Sequence, residues 1–291
     1  MVTSQTQKVG LICWPIGHSL SPVMHNAAFK ALGLDWVYLP LAASPDALPA
    51  ALAGLSALSF VGCNVSVPHK TKVIPFLDHM DKSSRQMQAV NTIKVVDGRL
   101  VGSNTDPQGF TRHLVNNGVN PDGMKIVFIG AGGAARAAVF GLSSFKVKQI
   151  TILDVVESQG LSLISDLNHL FPDSKLDFKP ISPNSFAQVR DYDMVVNASP
   201  IGMTPNIDMT PWPDDIELPS KAVVYDIVYN PIETKLLSRA KNEGLQTLNG
   251  LGMLVNQGAA SFETWTGIQP PIDLMMEVCE KNLKPTRKNN D

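Results

Sequence analysis

The sequence predicts an α/β protein of two domains. Three observations carry this. Short apolar runs alternate with helix-like segments in two successive series. A tight hairpin signal separates the series. The second series opens on a glycine-rich turn set between a strand-like run and a helix-like one. With 291 residues, 44% of them hydrophobic, the chain has material for two cores.

The first series reads as VGLICW followed by PVMHNAAFKALG, WVYLPL followed by PDALPAALAGL, and FVGCNVSV followed by the segment that starts at Pro68. Proline at a first helical position loses no hydrogen bond, so a helix is expected from Pro68, with Lys70 in its first turn. The helix dipole makes that end partly positive, and a cation there costs ~0.3 to 1 kcal/mol. Stability therefore gives no reason for a lysine, which leaves a solvated surface residue or a functional one. TIKVVDGRLVG turns at Asp97-Gly98, a good hairpin pair. The second series comprises KIVFIG, TILD, MVVNAS and VVYDIV with helical segments between them. Two late helical stretches, LGMLVNQGAASFETW and PIDLMMEVCEKNL, have no strands of their own and are expected to pack back on the first domain. The tail KPTRKNND reads as frayed and solvated.

Composition narrows the class of ligand. A net charge of -2 without a long Lys/Arg run argues against a nucleic-acid or membrane-surface partner, so a small molecule is expected. Cys13, Cys63 and Cys279 are odd in number and far apart, which fits reduced thiols better than a disulfide framework or a zinc site. No metal is implied. MVTSQTQK lacks the apolar core of a signal peptide, and AALAGLSALSFVG is too short to span a bilayer. A cytoplasmic protein is expected.

In KIVFIGAGGAARAAVFGL, Gly130, Gly132 and Ala135 occupy the three positions of G-x-G-x-x-G/A between a strand and a helix. Each position has a job: a tight turn, close approach of a pyrophosphate to backbone N–H groups, and close helix packing. Dinucleotide binding follows, against the alternative of an ordinary βα turn built from small residues. The next strand, QITILD, ends on Asp154, where an acidic residue accepts from the two ribose hydroxyls of an NAD adenosine and repels a 2′-phosphate. Val155, Val156 and Glu157 supply no arginine for such a phosphate, so NAD is favoured over NADP.

A nicotinamide cofactor implies hydride transfer, and carbonyl reduction also needs a proton for the new alkoxide oxygen. Lys70 is the candidate. Its expected partner is Asp106 in GSNTDPQGF, placed where the first series gives way to the second, although Asp before Pro also suits an ordinary helix N-cap. His18, His25 and His69 are further candidates for acid–base groups.

The pieces GHSLSP (17–22), NVSVPHK (64–70), AVNTI (89–93), NTDPQG (104–109), GAGGAAR (130–136), NASPIGM (197–203), YDIVYNP (225–231) and GLGMLVNQGAASF (250–262), in this order, resemble the shikimate dehydrogenase family over almost the whole chain. The resemblance implies a substrate-binding α/β domain over 1–106, completed by C-terminal helices from 250–291, and a Rossmann dinucleotide-binding domain over 107–249. It implies reversible oxidation of shikimate to 3-dehydroshikimate, with Lys70 and Asp106 as the catalytic pair, in a monomer or homodimer. Ser19, Ser21 and Tyr229 would bind the substrate carboxylate, with Ser66 close by; Asn91, Asp106 and Gln257 would hold the ring hydroxyls. Gly130, Ala131, Gly132, Gly133, Ala134, Ala135, Asp154, Ala198, Ser199, Met203, Gly250 and Met253 would bind the cofactor. Several have plainer alternatives: Ser21 as an N-cap, Asn91 as a turn former, Gln257 on a helix surface, Tyr229 as a core aromatic.

The chain departs from the family pattern at three places. Ser66 stands where threonine is usual, which leaves room for the extra hydroxyl of quinate. Pro107 replaces a glycine. Asp154-Val155 replaces the Asn-Arg pair that grips the phosphate of NADP, the family's commoner cofactor. An NAD-dependent quinate/shikimate dehydrogenase of catabolism is the alternative, and a catalytically idle nucleotide-binding sensor is the alternative from another class.

Overall fold

The structure, a computed structural model, describes residues 2–17 and 19–283. His18 and the expected frayed tail from 284 lie outside the described residues. The elements in order are β1 (Gln7–Cys13), α1 (Ser21–Ala31), β2 (Trp36–Ala42), α2 (Leu48–Ala57), β3 (Phe60–Val65), β4 (His79–Met80), α3 (Lys82–Met87), β5 (Thr92–Val96), β6 (Arg99–Ser103) and α4 (Asp106–Asn116). There follow β7 (Lys125–Ile129), α5 (Gly133–Leu142), β8 (Gln149–Asp154), α6 (Glu157–Leu167), β9 (Lys175–Pro180), α7 (Pro183–Ala187) and β10 (Met194–Asn197). The last are β11 (Val223–Asp226), α8 (Lys235–Asn242), β12 (Thr247–Asn249), α9 (Gly250–Thr266) and α10 (Ile272–Asn282). They form two compact units, Met1–Gly109 with Val255–Asn282, and Phe110–Leu254. The chain leaves the first unit within α4 and returns to it within α9.

The first unit holds a six-stranded sheet in the order β2-β1-β3-β5-β6-β4. β1, β2 and β3 run parallel, while β5 runs against both β3 and β6. The β5–β6 turn is Asp97-Gly98, both residues with positive φ (51° and 76°), the conformation a two-residue hairpin requires. One face of the sheet packs Ile12, Cys63, Val65 and Ile93 against Leu48, Leu52 and Leu55 of α2. On α1, Phe29 stacks on Phe262 of α9 with ring centroids 4.9 Å apart.

No helix starts at Pro68, contrary to expectation. The chain leaves β3 through turns over 67–73, and only a short 3-10 segment, Ile74–Phe76, follows. Pro75 explains this: it offers no N–H and its ring blocks a preceding turn, so a helix begun at Pro68 could not propagate. Lys70 consequently sits in a turn, and the dipole argument made for it does not apply.

The second unit is an all-parallel sheet in the order β12-β11-β10-β7-β8-β9, the doubly wound order in which the chain reverses direction between β7 and β10. Ile126 and Phe128 enter one core with Phe110 and Leu114, and Val127 and Ile129 enter another with Val195, Val224 and Trp212. Burial on both faces is why these strands read as unbroken apolar runs rather than alternating ones.

Candidate active site

In the first unit the sheet geometry gathers chemistry at one end. β1 and β3 are parallel, so α1 begins and the Lys70 turn departs at the same end. β5 pairs Thr92 with Asn64 of β3 and with Ser103 of β6, which brings Asn91 and the start of α4 to that end as well. Lys70 Nζ lies 2.5 Å from Asp106 Oδ2. Asn91 donates from Nδ2 to Asp106 Oδ1 at 2.8 Å and to Gln257 Oε1 at 3.3 Å. Four of the expected substrate-site residues, Lys70, Asp106, Asn91 and Gln257, therefore form one cluster. Asp106 is the first residue of α4, its N–H donating to Asn104 Oδ1 at 3.0 Å, so the upstream Asn104 side chain serves the helix start while both Asp106 oxygens take side-chain donors.

The Lys70 turn is fastened on three sides. Val90 N–H donates to the Lys70 carbonyl at 2.8 Å, and His69 N–H to the Ser66 carbonyl at 2.8 Å. His69 is fully buried, with Nε2 2.8 Å from the Ala43 carbonyl. A carbonyl only accepts, so Nε2 carries the proton and the ring acts as a strut. His25 is also fully buried, stacked 4.5 Å from Tyr38, and burial lowers its pKa to about 3. It stays neutral in ordinary conditions.

Ser21 is buried as the first residue of α1, with Leu20 as N-cap, so the capping alternative for Ser21 falls away. Ser19 Oγ instead accepts from Ser21 N–H at 3.2 Å. Ser66 is half-buried just beyond β3, its N–H bonded to the Ile12 carbonyl at 3.0 Å. Tyr229 belongs to the second unit, half-buried in the segment after β11. Sequence reasoning passed over Thr105, Thr92, Ser261 and Asn64, all buried and hydrogen-bonded around Asn91. A signal was present: Ser261 lies one helical turn beyond Gln257, on the same face of α9.

In the second unit the glycine turn joins β7 to α5. Gly130 has φ +104°, and a Cβ there would come within 2.9 Å of the Ala198 carbonyl, at the point where the strand order reverses. Gly132 and Gly133 have open space above them, and Gly132 caps α5 without a side chain, leaving backbone N–H groups available to a phosphate. Ala134 is half-buried, while Ala135 is fully buried against the sheet core. Such a cradle fits a dinucleotide. The buried Asp154 carboxylate accepts from Ala131 N–H at 2.6 Å and from Val156 N–H at 2.7 Å. It thus ties the glycine turn to the loop after β8 and keeps further lone pairs for a ligand hydroxyl.

Ala198 and Ser199 begin the loop after β10, where Asn197 Oδ1 accepts from the Ser199 hydroxyl at 2.7 Å. Asn197 Nδ2 donates to Asp226 Oδ1 at 2.9 Å, and Thr234 donates to Asp226 Oδ2 at 2.7 Å. Asp226 is fully buried, and burial raises its pKa to about 6. Met203 is exposed, Gly250 opens α9 with its N–H on the Val228 carbonyl, and Met253 packs into the core. Among the described residues no His/Cys/Asp/Glu cluster suits a metal ion, and no helix is long and apolar enough to cross a membrane.

The family model for the shikimate dehydrogenase substrate binding domain matches residues 11–93, and that for the shikimate 5'-dehydrogenase C-terminal domain matches residues 250–280. Shikimate dehydrogenase (NADP(+)) of Carboxydothermus hydrogenoformans is 41% identical over 282 residues, covering 94% of this chain and 96% of the relative. Among solved structures, shikimate 5-dehydrogenase from Listeria monocytogenes in complex with shikimate and NAD is 37% identical with a TM-score of 0.88, covering 95% of this chain and 97% of that one. Quinate dehydrogenase from Corynebacterium glutamicum in complex with NAD is 29% identical with a TM-score of 0.88, covering 95% and 99%. With 41% identity over nearly its full length, and with the glycine turn and the lysine–aspartate cluster each built into its own α/β unit, this chain belongs to the shikimate dehydrogenase family.

Proposed function

We propose that this protein is a shikimate dehydrogenase, with Lys70 and Asp106 as its reacting pair. The observation that carries the assignment of the pair is the 2.5 Å contact between Lys70 Nζ and Asp106 Oδ2, set beside the amides of Asn91 and Gln257. An ammonium has three donors, so one remains on Asp106 while another reaches a substrate oxygen. When bound, the nicotinamide ring gives or takes the hydride. In carbonyl reduction Lys70 donates a proton to the oxygen as the hydroxyl forms; in the reverse direction it takes that proton back. Asp106 orients the ammonium and accepts from the substrate hydroxyl, with Asn91 and Gln257 holding the neighbouring hydroxyl. Ser19, Ser21, Ser66 and Tyr229 supply the hydroxyl donors a carboxylate needs.

NAD is the proposed cofactor. Asp154 presents a carboxylate where a 2′-phosphate would sit, and Val155, 81% exposed, offers no guanidinium. Three buried free thiols fit the reducing cytoplasm. A second reading, activity on quinate as well, rests on the small Ser66 side chain. One added or missing methyl discriminates by only ~1 to 3 kcal/mol, so turnover of both acids is expected, with shikimate ahead. Initial rates with shikimate and quinate, each with NAD and NADP, test these assignments together. Absence of turnover on either acid with either cofactor would overturn the enzymatic reading, and a higher kcat/KM with NADP would overturn the cofactor assignment.

A further inference from the structure

Behind the reacting pair lies a buried line of polar side chains from four different elements: Tyr38 on β2, Asn64 on β3, Ser261 on α9 and Thr92 on β5. Their exposures are 1%, 5%, 0% and 0%. Apolar side chains of similar size would fill such positions without the cost of burying polar groups, so their presence in a core calls for a reason.

The donors and acceptors along this line can be assigned one by one. Asn64 Nδ2 faces the Asn91 carbonyl at 3.1 Å, which only accepts, so the Asn64 amide orientation is settled and Oδ1 must face Tyr38, 2.8 Å away. Burial holds the Tyr38 phenol well above its ordinary pKa, so it keeps its proton and donates it to Asn64 Oδ1. Asn64 Nδ2 donates onward to Ser261 Oγ at 2.9 Å and faces Thr92 Oγ1 at 3.1 Å. Ser261 Oγ donates to the Gln257 carbonyl at 3.1 Å and lies 2.7 Å from the Thr92 hydroxyl, a contact in which either hydroxyl can donate. Thr92 donates to Asn91 Oδ1 at 2.8 Å. That oxygen also receives the Thr105 N–H at 2.8 Å, a group that only donates, so the Asn91 amide is settled too and its Nδ2 must point at Asp106 Oδ1. The bonds from Tyr38 through Asn64, Thr92 and Asn91 all run toward the Asp106 carboxylate, and Ser261 braces both Asn64 and Thr92 from α9. Bonds chained in one direction polarise each other, and in a dry core they hold the terminal group in one geometry.

We propose that Tyr38, Asn64, Ser261 and Thr92 are positioning residues that, through Asn91, lock Asp106 in the orientation in which its second oxygen holds Lys70. The inference rests on the assignment of Lys70 and Asp106 as the reacting pair. It gives Asn91 two separable tasks, binding a substrate hydroxyl and transmitting the order of the core to the carboxylate, and it assigns a role in turnover to side chains that touch no substrate.

The test compares Thr92→Val, Thr92→Ser and Lys70→Ala in the full-length chain, measuring kcat, KM for shikimate and for the dinucleotide, and thermal unfolding. Valine keeps the shape and removes the hydroxyl; serine keeps the hydroxyl. Misplacing a reacting group by about 1 Å costs up to ~10²-fold, so Thr92→Val is expected to lower kcat by roughly 10- to 100-fold. The dinucleotide KM should not move, and Thr92→Ser should restore most of kcat. Wild-type kcat in Thr92→Val beside an inactive Lys70→Ala would overturn the relay alone, as would equal losses in the valine and serine variants. A near-normal kcat in Lys70→Ala would instead overturn the assignment of the pair. Should Thr92→Val not fold, Ser261→Ala replaces it, since alanine suits a helix interior. The same fall in kcat at unchanged dinucleotide KM is expected, and wild-type kcat would overturn the relay.

Discussion

Lys70 is placed by its surroundings, with its backbone held by Val90 and its head by Asp106. Replacing it with alanine removes the proposed proton carrier and leaves the turn's backbone bonds intact. Lys70→Ala is expected to lower kcat by roughly 10² to 10⁴, the contribution of a positioned acid–base group, with a smaller effect on substrate KM. Steady-state kinetics on the folded variant decide this, and a kcat within a few-fold of the parent contradicts it. Asp154 teaches a different lesson. Both its oxygens accept backbone N–H groups, so Asp154→Asn would set an amide NH₂ against one of those donors and loosen the glycine turn. Val155 is the better lever, being highly exposed and free of such a task. Val155→Arg is expected to raise kcat/KM for NADP relative to NAD by about 10-fold, the effect of a guanidinium reaching a phosphate near an unaltered carboxylate. An unchanged ratio of the two kcat/KM values would show that this position does not meet the phosphate.

At the level of elements, Asp226 binds the end of β10 to the end of β11 through Asn197, Val228 and Thr234. Its pKa is raised in the folded state to about 6, against about 3.9 in an unfolded chain. The folded state therefore binds the extra proton, and the stability it contributes is complete below about pH 4 and is lost as pH rises through about 6. The loss amounts to roughly 3 kcal/mol. Asp226→Asn abolishes this dependence while keeping an acceptor for Asn197 and Val228. The stability of the variant relative to the parent should improve between pH 4.5 and pH 7.5, as followed by denaturant unfolding; a constant difference would contradict the titration. The sequence made the central strands legible because parallel strands buried on both faces leave continuous apolar runs, as in KIVFIG and QITILD. β9 and β12 escaped because they are edge strands, and KLDFKP and TLN carry the polar residues an edge tolerates. The helix-start signal at Pro68 goes unused because Pro75 acts as a stop. Lys70 and Asp106 could be named because they sit in recognisable motifs. Thr92 and Thr105 could not, since a buried hydroxyl has no sequence pattern apart from the neighbours that bury it, and Ser261 is marked only by its helical spacing from Gln257.

For the molecule as a whole, chain order and spatial order differ. The first unit is assembled from the opening of the chain and from Val255–Asn282, with the entire second unit intervening. A ribosome therefore releases the complete dinucleotide unit while the earlier one still lacks Phe262, Trp265 and Ser261, and with them the cover for Phe29 and Tyr38 and a partner for Asn64. During that interval the nascent chain carries Lys70 and Asp106 without the helix that completes their setting. Competence to turn over substrate is thus acquired only after the second unit has been made, when the returning helix supplies the missing hydroxyl.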